Sequence, residues 1–162
     1  MNRRQRKKLK FLKGAKLTDV QRWNLHHTFA AYIANGLRQF LANDISGTPL
    51  DPPNQKKSPN MTAMSEEKWR GILKEMLWAF EQVENEYPAS PLSKWNSEQL
   101  AELYKRGIMP FEFIEKDANG LVRVKDNKPE VPDEIWVAED EYNVRIQHGV
   151  NLFAEYFFNL WD

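Results

Sequence analysis

The chain contains no cysteine. A disulfide framework, a thiolate zinc site and a cysteine nucleophile are therefore excluded. The chain also lacks any run near the ~20 consecutive apolar residues that a membrane-spanning helix needs. The basic N-terminal stretch is not followed by the apolar segment of a signal peptide, because Lys10, Lys13 and Lys16 interrupt it. We therefore expect a soluble intracellular protein.

The sequence motifs of common enzyme classes are missing as well. There is no glycine-rich phosphate loop, since Gly107 and Gly120 stand alone. No serine lies in the sequence context of a nucleophile elbow. The sequence thus contains no decisive catalytic signature, and we predict no cofactor.

Acidic side chains are absent from residues 1–16, although the whole chain has 23 basic and 23 acidic residues. Eight basic residues occupy this segment, which leaves 15 basic and 23 acidic groups for residues 17–162. A block of like charges repels itself and is stabilised by an opposing polyanion. We predict a basic N-terminal arm that contacts nucleic acid without base specificity. Its residues are Arg3, Arg4, Arg6, Lys7, Lys8, Lys10, Lys13 and Lys16.

Other roles for the arm stay open at this point. Leu9, Phe11 and Leu12 interleave with its charges and would allow it to insert into an anionic membrane surface. The arm would otherwise fold onto the acidic body of its own chain or extend into solvent. The charge pattern does not distinguish DNA from RNA, because both present the same phosphates.

Helical periodicity of the apolar residues predicts three long helices. The first spans about 24 residues, from the N-cap Thr18 to the region of Leu41. The second begins after the N-cap Ser65 and is stopped by Pro88. The third extends from about Glu139 to the C-terminus.

Shorter elements lie between the long helices. The proline-containing segment 46–62 predicts an irregular loop. A short helix is predicted to open at Asn96 or Ser97 and to close at Gly107. Alternating apolar residues on either side of an Asn-Gly pair predict a small β-hairpin at about 110–126.

Together these elements predict a mostly α fold, a bundle of three long helices plus a short helix. A small β-hairpin insert and the basic N-terminal arm complete it, and residues 17–162 form a single helical domain. Gly36 lies inside the first predicted helix, where it either weakens the helix or lets another helix approach closely.

Two carboxylates near the end of the second helix are candidates for metal binding. Glu81 and Glu84 lie three residues apart on one helical face, a spacing that can offer both to one Mg²⁺. A metal-dependent nucleotide hydrolase of the all-α type would need a second acidic pair. The helical candidates for that pair are Glu155 with Asp162 and Glu139 with Asp140. Neither forms a convincing motif, so an exposed acidic helix end is the favoured interpretation.

Aromatic residues exceed what one small core needs, with six Trp, nine Phe and five Tyr. Trp69 and Trp78 cannot share one helical face, and Phe157 and Phe158 must point in different directions. Spare aromatic side chains are typical of interfaces. The residues predicted to contact a protein partner or a second copy are Trp78, Tyr156, Phe158 and Trp161. Burial under the hairpin region is the alternative.

Three stretches carry a family resemblance: Trp23 to Phe40, Glu67 to Glu81 and Gly149 to Asp162. The second contains the pattern Trp-x-x-Ile-Leu-x-x-Met-x-Trp-Ala-Phe-Glu, and the third is Leu-Phe-Ala-x-Tyr-Phe-x-x-Leu-Trp-Asp from Leu152 onward. In this order they resemble a functionally uncharacterised family of small helical proteins encoded by tailed bacteriophages. The resemblance implies a phage origin and a bacterial host cell. It implies no reaction.

From these features we predict a phage-encoded, non-enzymatic accessory protein in the cytoplasm of an infected bacterium. Its helical body would bind a protein partner or a second copy, and its arm would contact nucleic acid. One alternative is the metal-dependent nucleotide hydrolase that uses Glu81 and Glu84. The other is a virion or assembly component whose arm lies on packaged genome or on neighbouring subunits.

Overall fold

The computed structural model describes residues 24–43, 47–51, 62–116 and 120–160. This part of the chain is mostly helical, with four α-helices and two small antiparallel sheets. The prediction of a mostly α fold with a small β-hairpin is therefore confirmed. The basic arm, residues 1–16, lies outside the described residues.

The helices are α1 (Leu25–Ala42), α2 (Glu66–Glu84), α3 (Pro91–Lys105) and α4 (Asp133–Tyr156), and a short 3₁₀ turn (Phe157–Asn159) follows α4. The strands are β1 (Leu50–Asp51), β2 (Thr62–Ala63), β3 (Phe111–Lys116) and β4 (Val122–Asp126). None of the helices in the described ranges combines the length and the apolar character that crossing a membrane requires.

Helix α2 is the centre of the fold, because α1 packs on one side of it and α4 on another. Its start follows the predicted cap, since the Ser65 side chain accepts a hydrogen bond from the Lys68 N–H at 3.3 Å. Trp69, Leu73 and Met76 are its largest fully buried side chains, and they form the core with small and branched residues of α1. No Cα atom in the described part of α1 lies within 8 Å of a Cα atom in α4, so the two helix backbones stay apart above α2.

Helix α4 comes unusually close to α2 at Gly149. A Cβ atom placed on Gly149 would lie 2.4 Å from the Ala79 Cβ and 2.7 Å from the Glu75 carbonyl oxygen. These distances are shorter than any van der Waals contact allows, so a glycine is required for the two helices to pack at this separation.

Two helix starts differ from the sequence prediction. Helix α3 begins at Pro91 rather than at Asn96 or Ser97, because Ser90 caps it by accepting the Ser93 N–H at 3.0 Å. Helix α4 begins at Asp133 rather than near 139, since two acidic residues directly after Pro132 suit the first turn of a helix.

The first helix also differs from its prediction. Helix α1 begins at Leu25 and spans 18 residues, with Asn24 at the N-cap position and no capping side-chain hydrogen bond. The predicted cap Thr18 lies outside the described residues. The loop predicted for 46–62 is closed by the short β1–β2 pair, in which Leu50 faces Ala63.

Strands β3 and β4 form the predicted hairpin. Phe113 faces Val124, and a register shift at Ile114 places Glu115 opposite Arg123. Residues 117–119 of the turn lie outside the described ranges, while Gly120 has a φ of +82°, which favours glycine. No Cα atom of these strands lies within 8 Å of one in another described helix or strand. Among the described elements the hairpin therefore has no close backbone neighbour.

Candidate functional site

An apolar groove of about 290 Å³ lies between α1 and the end of α4. Its lining residues are Ile33, Gly36, Leu37, Phe40, Phe153, Phe157 and Leu160. The groove forms because the backbones of α1 and α4 flank α2 without coming close to each other. A Cβ atom placed on Gly36 would meet no other atom within 4 Å, so this glycine widens the groove and does not mark a close helix contact.

Exposed aromatic side chains continue from one end of this groove. The rings of Phe153 and Phe157 have centroids 5.6 Å apart, and those of Phe157 and Phe158 lie 5.4 Å apart. Phe158 is 76% exposed and Phe157 is 53% exposed. Phe158 thus has the exposure that the predicted partner interface requires. Trp161, the neighbouring candidate, lies outside the described residues.

Tyr156, predicted from the sequence as an interface residue, has its side chain in the core of the described part of the chain and not on an exposed surface. The side chain is only 5% exposed and its ring lies 5.3 Å from that of Trp69. Spacing alone placed it beside Phe158 on the last helix. Tyr156 is the last residue of α4, and it lies on the side of this helix that packs against α2. Its ring therefore points into the core.

Trp78 is half-buried, and other side chains cover much of its ring. The Arg145 guanidinium lies 3.9 Å from the ring centroid, and Tyr142 packs edge-on with centroids 5.8 Å apart. Arg145 is held there by two hydrogen bonds to Glu75, at 3.1 and 3.2 Å. The indole therefore serves mainly as a platform for a cation of its own chain.

Tyr142 fixes this cluster from the buried side. Its hydroxyl donates a hydrogen bond to Gln82 Oε1 at 3.0 Å. Burial, and to a smaller extent the negative charge of Glu139, raises the pKa of Tyr142 above its ordinary value. The phenol therefore stays protonated and keeps this bond at neutral pH.

Glu81 and Glu84 converge on a cation of the protein itself. Arg38 Nε donates to Glu81 at 3.0 Å, and Arg38 Nη2 donates to Glu84 at 2.6 Å. The hydrogen bond to Glu84, with a smaller contribution from Glu81, raises the pKa of Arg38 above its ordinary value. The guanidinium thus takes the place between the two carboxylates that a metal would need, and the geometry does not favour the hydrolase alternative.

The histidines of α1 do not form a metal site with these carboxylates. The rings of His26 and His27 lie 4.1 Å apart, and His27 Nδ1 is 2.5 Å from the carbonyl oxygen of Val83. Among the described residues there is no group of three or more His, Asp or Glu side chains placed to hold a metal ion.

Replacing Arg38 by glutamine is expected to lower the free energy of unfolding by about 1 kcal/mol at low salt. The change leaves two like charges facing each other at the C-terminal end of α2, where the helix dipole also disfavours them. Chemical denaturation followed by circular dichroism would measure the loss, which should shrink in about 1 M NaCl.

The matched control is the same substitution in a Glu81→Gln, Glu84→Gln background. There Arg38→Gln should cost only a few tenths of a kcal/mol, because no carboxylate is left to pair. An equal cost in both backgrounds would contradict the ion cluster as the source of the stability.

Most arginines in the described part of the chain form ion pairs with carboxylates. Four of the five arginines in the described ranges form ion pairs of 3.1 Å or less: Arg38, Arg70, Arg123 and Arg145. A phosphate group would have to compete with these carboxylates for the same guanidinium donors. These four arginines could therefore bind a phosphate only by giving up an ion pair of their own chain.

The groove and the free apolar face of the hairpin were not predicted from the sequence. The groove joins residues more than a hundred positions apart, such as Phe40 and Phe153, and no local pattern reports their meeting. The hairpin face had a usable signal: Phe111 and Phe113 alternate with charged residues, as do Val122 and Val124. A period of two with charges between is typical of an amphipathic strand.

Comparison of the chain with family models, with curated proteins and with solved structures finds no match. Function is therefore inferred from the charge distribution and from the surfaces described above.

Proposed function

We propose that this is a non-enzymatic accessory protein that binds nucleic acid through its basic arm and a protein partner through its helical body. The proposed nucleic-acid contacts are Arg3, Arg4, Arg6, Lys7, Lys8, Lys10, Lys13 and Lys16. They engage phosphates and read no base sequence. Following the bacteriophage resemblance, we place the protein in the cytoplasm of an infected bacterium.

The observation that carries the proposal is the separation of charge along the chain. The arm has eight basic and no acidic residues, whereas residues 17–162 have eight more acidic than basic groups. The ion pairs of four described arginines support the same division, because these four cations already have carboxylate partners. Binding to phosphates would thus depend on the arm.

The groove between α1 and α4 is the proposed site for a protein partner. The groove is lined by apolar side chains, and the exposed rings of Phe157 and Phe158 extend this apolar surface. A protein partner could bury an apolar side chain or the apolar face of a short helix there. Exposed aromatic residues around a concave apolar surface are typical of protein interfaces.

Neutralising the arm is expected to abolish binding to nucleic acid. In the full chain, all eight basic residues of the arm are replaced by glutamine, which keeps the length unchanged. Binding to a duplex DNA and to an RNA of equal length is measured by fluorescence anisotropy. If about six phosphates are contacted, the wild-type affinity falls roughly 10³-fold between about 50 and 200 mM salt. The variant should bind at least about 100-fold more weakly at the lower salt.

The control removes cations from the body instead, as Lys94→Gln, Lys105→Gln and Arg106→Gln on and after α3. It should keep both the affinity and the salt dependence of the wild type. Unchanged binding by the arm variant would overturn the proposal. Recovery of the protein in purified phage particles would move it from the host cytoplasm to the virion.

A further inference from the structure

The hairpin has one apolar face and one charged face. Directly opposite residues in an antiparallel pair point to the same side, so Phe111, Phe113, Val122 and Val124 share one face. The Phe111 and Phe113 rings lie 6.1 Å apart, as this arrangement requires. The other face has two cross-strand ion pairs, Glu115 with Arg123 at 3.1 Å and Glu112 with Lys125 at 3.9 Å.

The apolar face has no cover among the described residues. Phe113 is 73% exposed, and Phe111, Val122 and Val124 are 46–48% exposed. No other described helix or strand has a Cα atom within 8 Å of a Cα atom of β3 or β4. A two-stranded hairpin that packs on nothing is marginally stable in water. An occupant that covers this face would therefore stabilise the hairpin.

The charges at the two ends of the apolar face distinguish between occupants. Lys116, opposite Val122, lies near the turn, and Asp126, opposite Phe111, lies at the base of the hairpin. Asp126 accepts the Lys128 N–H at 2.9 Å and lies 3.5 Å from its Nζ, yet its side chain stays 62% exposed. The face thus has a positive charge near the turn and a negative charge at the base. This arrangement disfavours a polyanion, and it suits a partner that has a negative charge opposite Lys116 and a positive charge opposite Asp126.

A second copy of the chain, rotated by a two-fold axis, presents these opposite charges. Lys116 and Asp126 lie at diagonal corners of the face. Packing two apolar faces together about a two-fold axis perpendicular to this diagonal places Lys116 of each copy over Asp126 of the other, with the hairpins crossing at a small angle. The contact is self-complementary, as a two-fold interface must be. The central phenylalanines and valines then cover one another, and the ion pairs of the outer faces stay in solvent.

The exposed area of this face is that of a weak dimer. The exposures of its four apolar side chains add up to about two fully exposed side chains. At ~150–200 Å² each, this gives roughly 350 Å² per copy and about 700 Å² for a pair, which is the size of a weak, transient contact. A dissociation constant on the order of 100 μM is expected.

We propose that the apolar face of the β3–β4 hairpin is a dimerisation surface at which two copies pack face to face. The proposal goes beyond the proposed function, and it holds or fails whether or not the arm binds nucleic acid. If both hold, each dimer presents two basic arms, so that one bound arm raises the effective concentration of the other.

Sedimentation equilibrium of the full chain from about 1 to 300 μM tests the proposal, because this range spans the expected dissociation constant on the order of 100 μM. The wild type should be mostly dimeric at the upper concentrations. Phe113→Glu places a charge at the centre of the face and should raise the dissociation constant at least about 30-fold. The matched control is Phe158→Glu, a residue of the same type with nearly the same exposure (76% against 73%), and it should leave the dimer intact. Circular dichroism confirms that each variant keeps its helices.

Charge exchange tests the two-fold geometry itself. Lys116→Asp and Asp126→Lys each place like charges opposite one another and should weaken association about tenfold. An equimolar mixture of the two single variants should form a heterodimer of nearly wild-type strength, since opposite charges face each other again.

Several results would overturn the proposal. A monomeric wild type with slow amide exchange in β3 and β4 would mean that another part of the same chain covers the face. Dissociation by Phe158→Glu and not by Phe113→Glu would assign the dimer to the groove. Failure of the mixed variants to associate would exclude the face-to-face two-fold arrangement.

Discussion

Replacing Gly149 by alanine is expected to lower the free energy of unfolding by about 2–3 kcal/mol. The added methyl group would lie 2.4 Å from the Ala79 Cβ and 2.7 Å from the Glu75 carbonyl oxygen. Neither atom belongs to a flexible side chain that can rotate away, so α4 and α2 must move apart. Alanine has a higher helix propensity than glycine, by about 1 kcal/mol. The steric overlap of the added methyl group costs more than this gain.

The matched control is Gly71→Ala on the exposed face of α2, where a Cβ meets nothing within 4 Å. There the helical preference acts alone and should stabilise the protein by about 0.5–1 kcal/mol. Urea denaturation followed by circular dichroism measures both variants. Adding Ala79→Gly to Gly149→Ala should recover part of the loss. Equal stabilisation at both glycines would contradict the close packing of α2 and α4.

The sequence predicted best those elements in which every local signal agreed. Helix α2 has a capping serine, two acidic residues in its first turn and an uninterrupted apolar stripe, and its start was predicted correctly. The start of α3 has an equally good signal in Ser90 followed by Pro91. It was overlooked because Asn96 and Ser97 offered a second cap nearer to the apolar residues.

The candidate sites depended on long-range packing, and local spacing could not provide it. Glu81 and Glu84 were recognised as a pair on one face, but their partner Arg38 lies 43 and 46 residues away. Tyr156 and Phe158 looked equivalent as aromatic residues at the end of one helix. Which of them faced the core was decided by the position of α2, which periodicity within α4 does not reveal.

The stretches on which the sequence-based resemblance to a bacteriophage family depends include most residues of the buried core. Trp69, Leu73, Met76 and Tyr156 belong to one buried cluster, and Gly149 allows the closest helix contact. Positions of this kind determine how the helices pack and carry no information about a reaction. The functional proposals therefore use charge and exposed surfaces.

Trp69→Ala is the second substitution for which we expect a large effect, a loss of about 3–5 kcal/mol in the free energy of unfolding. The indole is 0% exposed and packs against the ring of Tyr156 at the centre of the core. Truncation to a methyl group leaves a cavity that α1, α2 and α4 cannot close without losing contacts elsewhere. Alanine at Trp136, which is 48% exposed on α4, is the control and should change the stability by less than about 0.5 kcal/mol.

Phenylalanine at position 69 should behave very differently from alanine. The Trp69 Nε1–H is buried without a hydrogen-bond partner among the described residues, and an unpaired buried donor costs about 1–3 kcal/mol. Trp69→Phe removes this donor together with part of the ring, so the two effects offset each other and the net loss should stay near ~1 kcal/mol. Urea denaturation of the two variants separates the effect of the unpaired donor from the effect of the cavity. Both variants remove the donor, but only alanine leaves a large cavity. A loss from phenylalanine as large as that from alanine would show that the indole N–H has a partner in the rest of the chain.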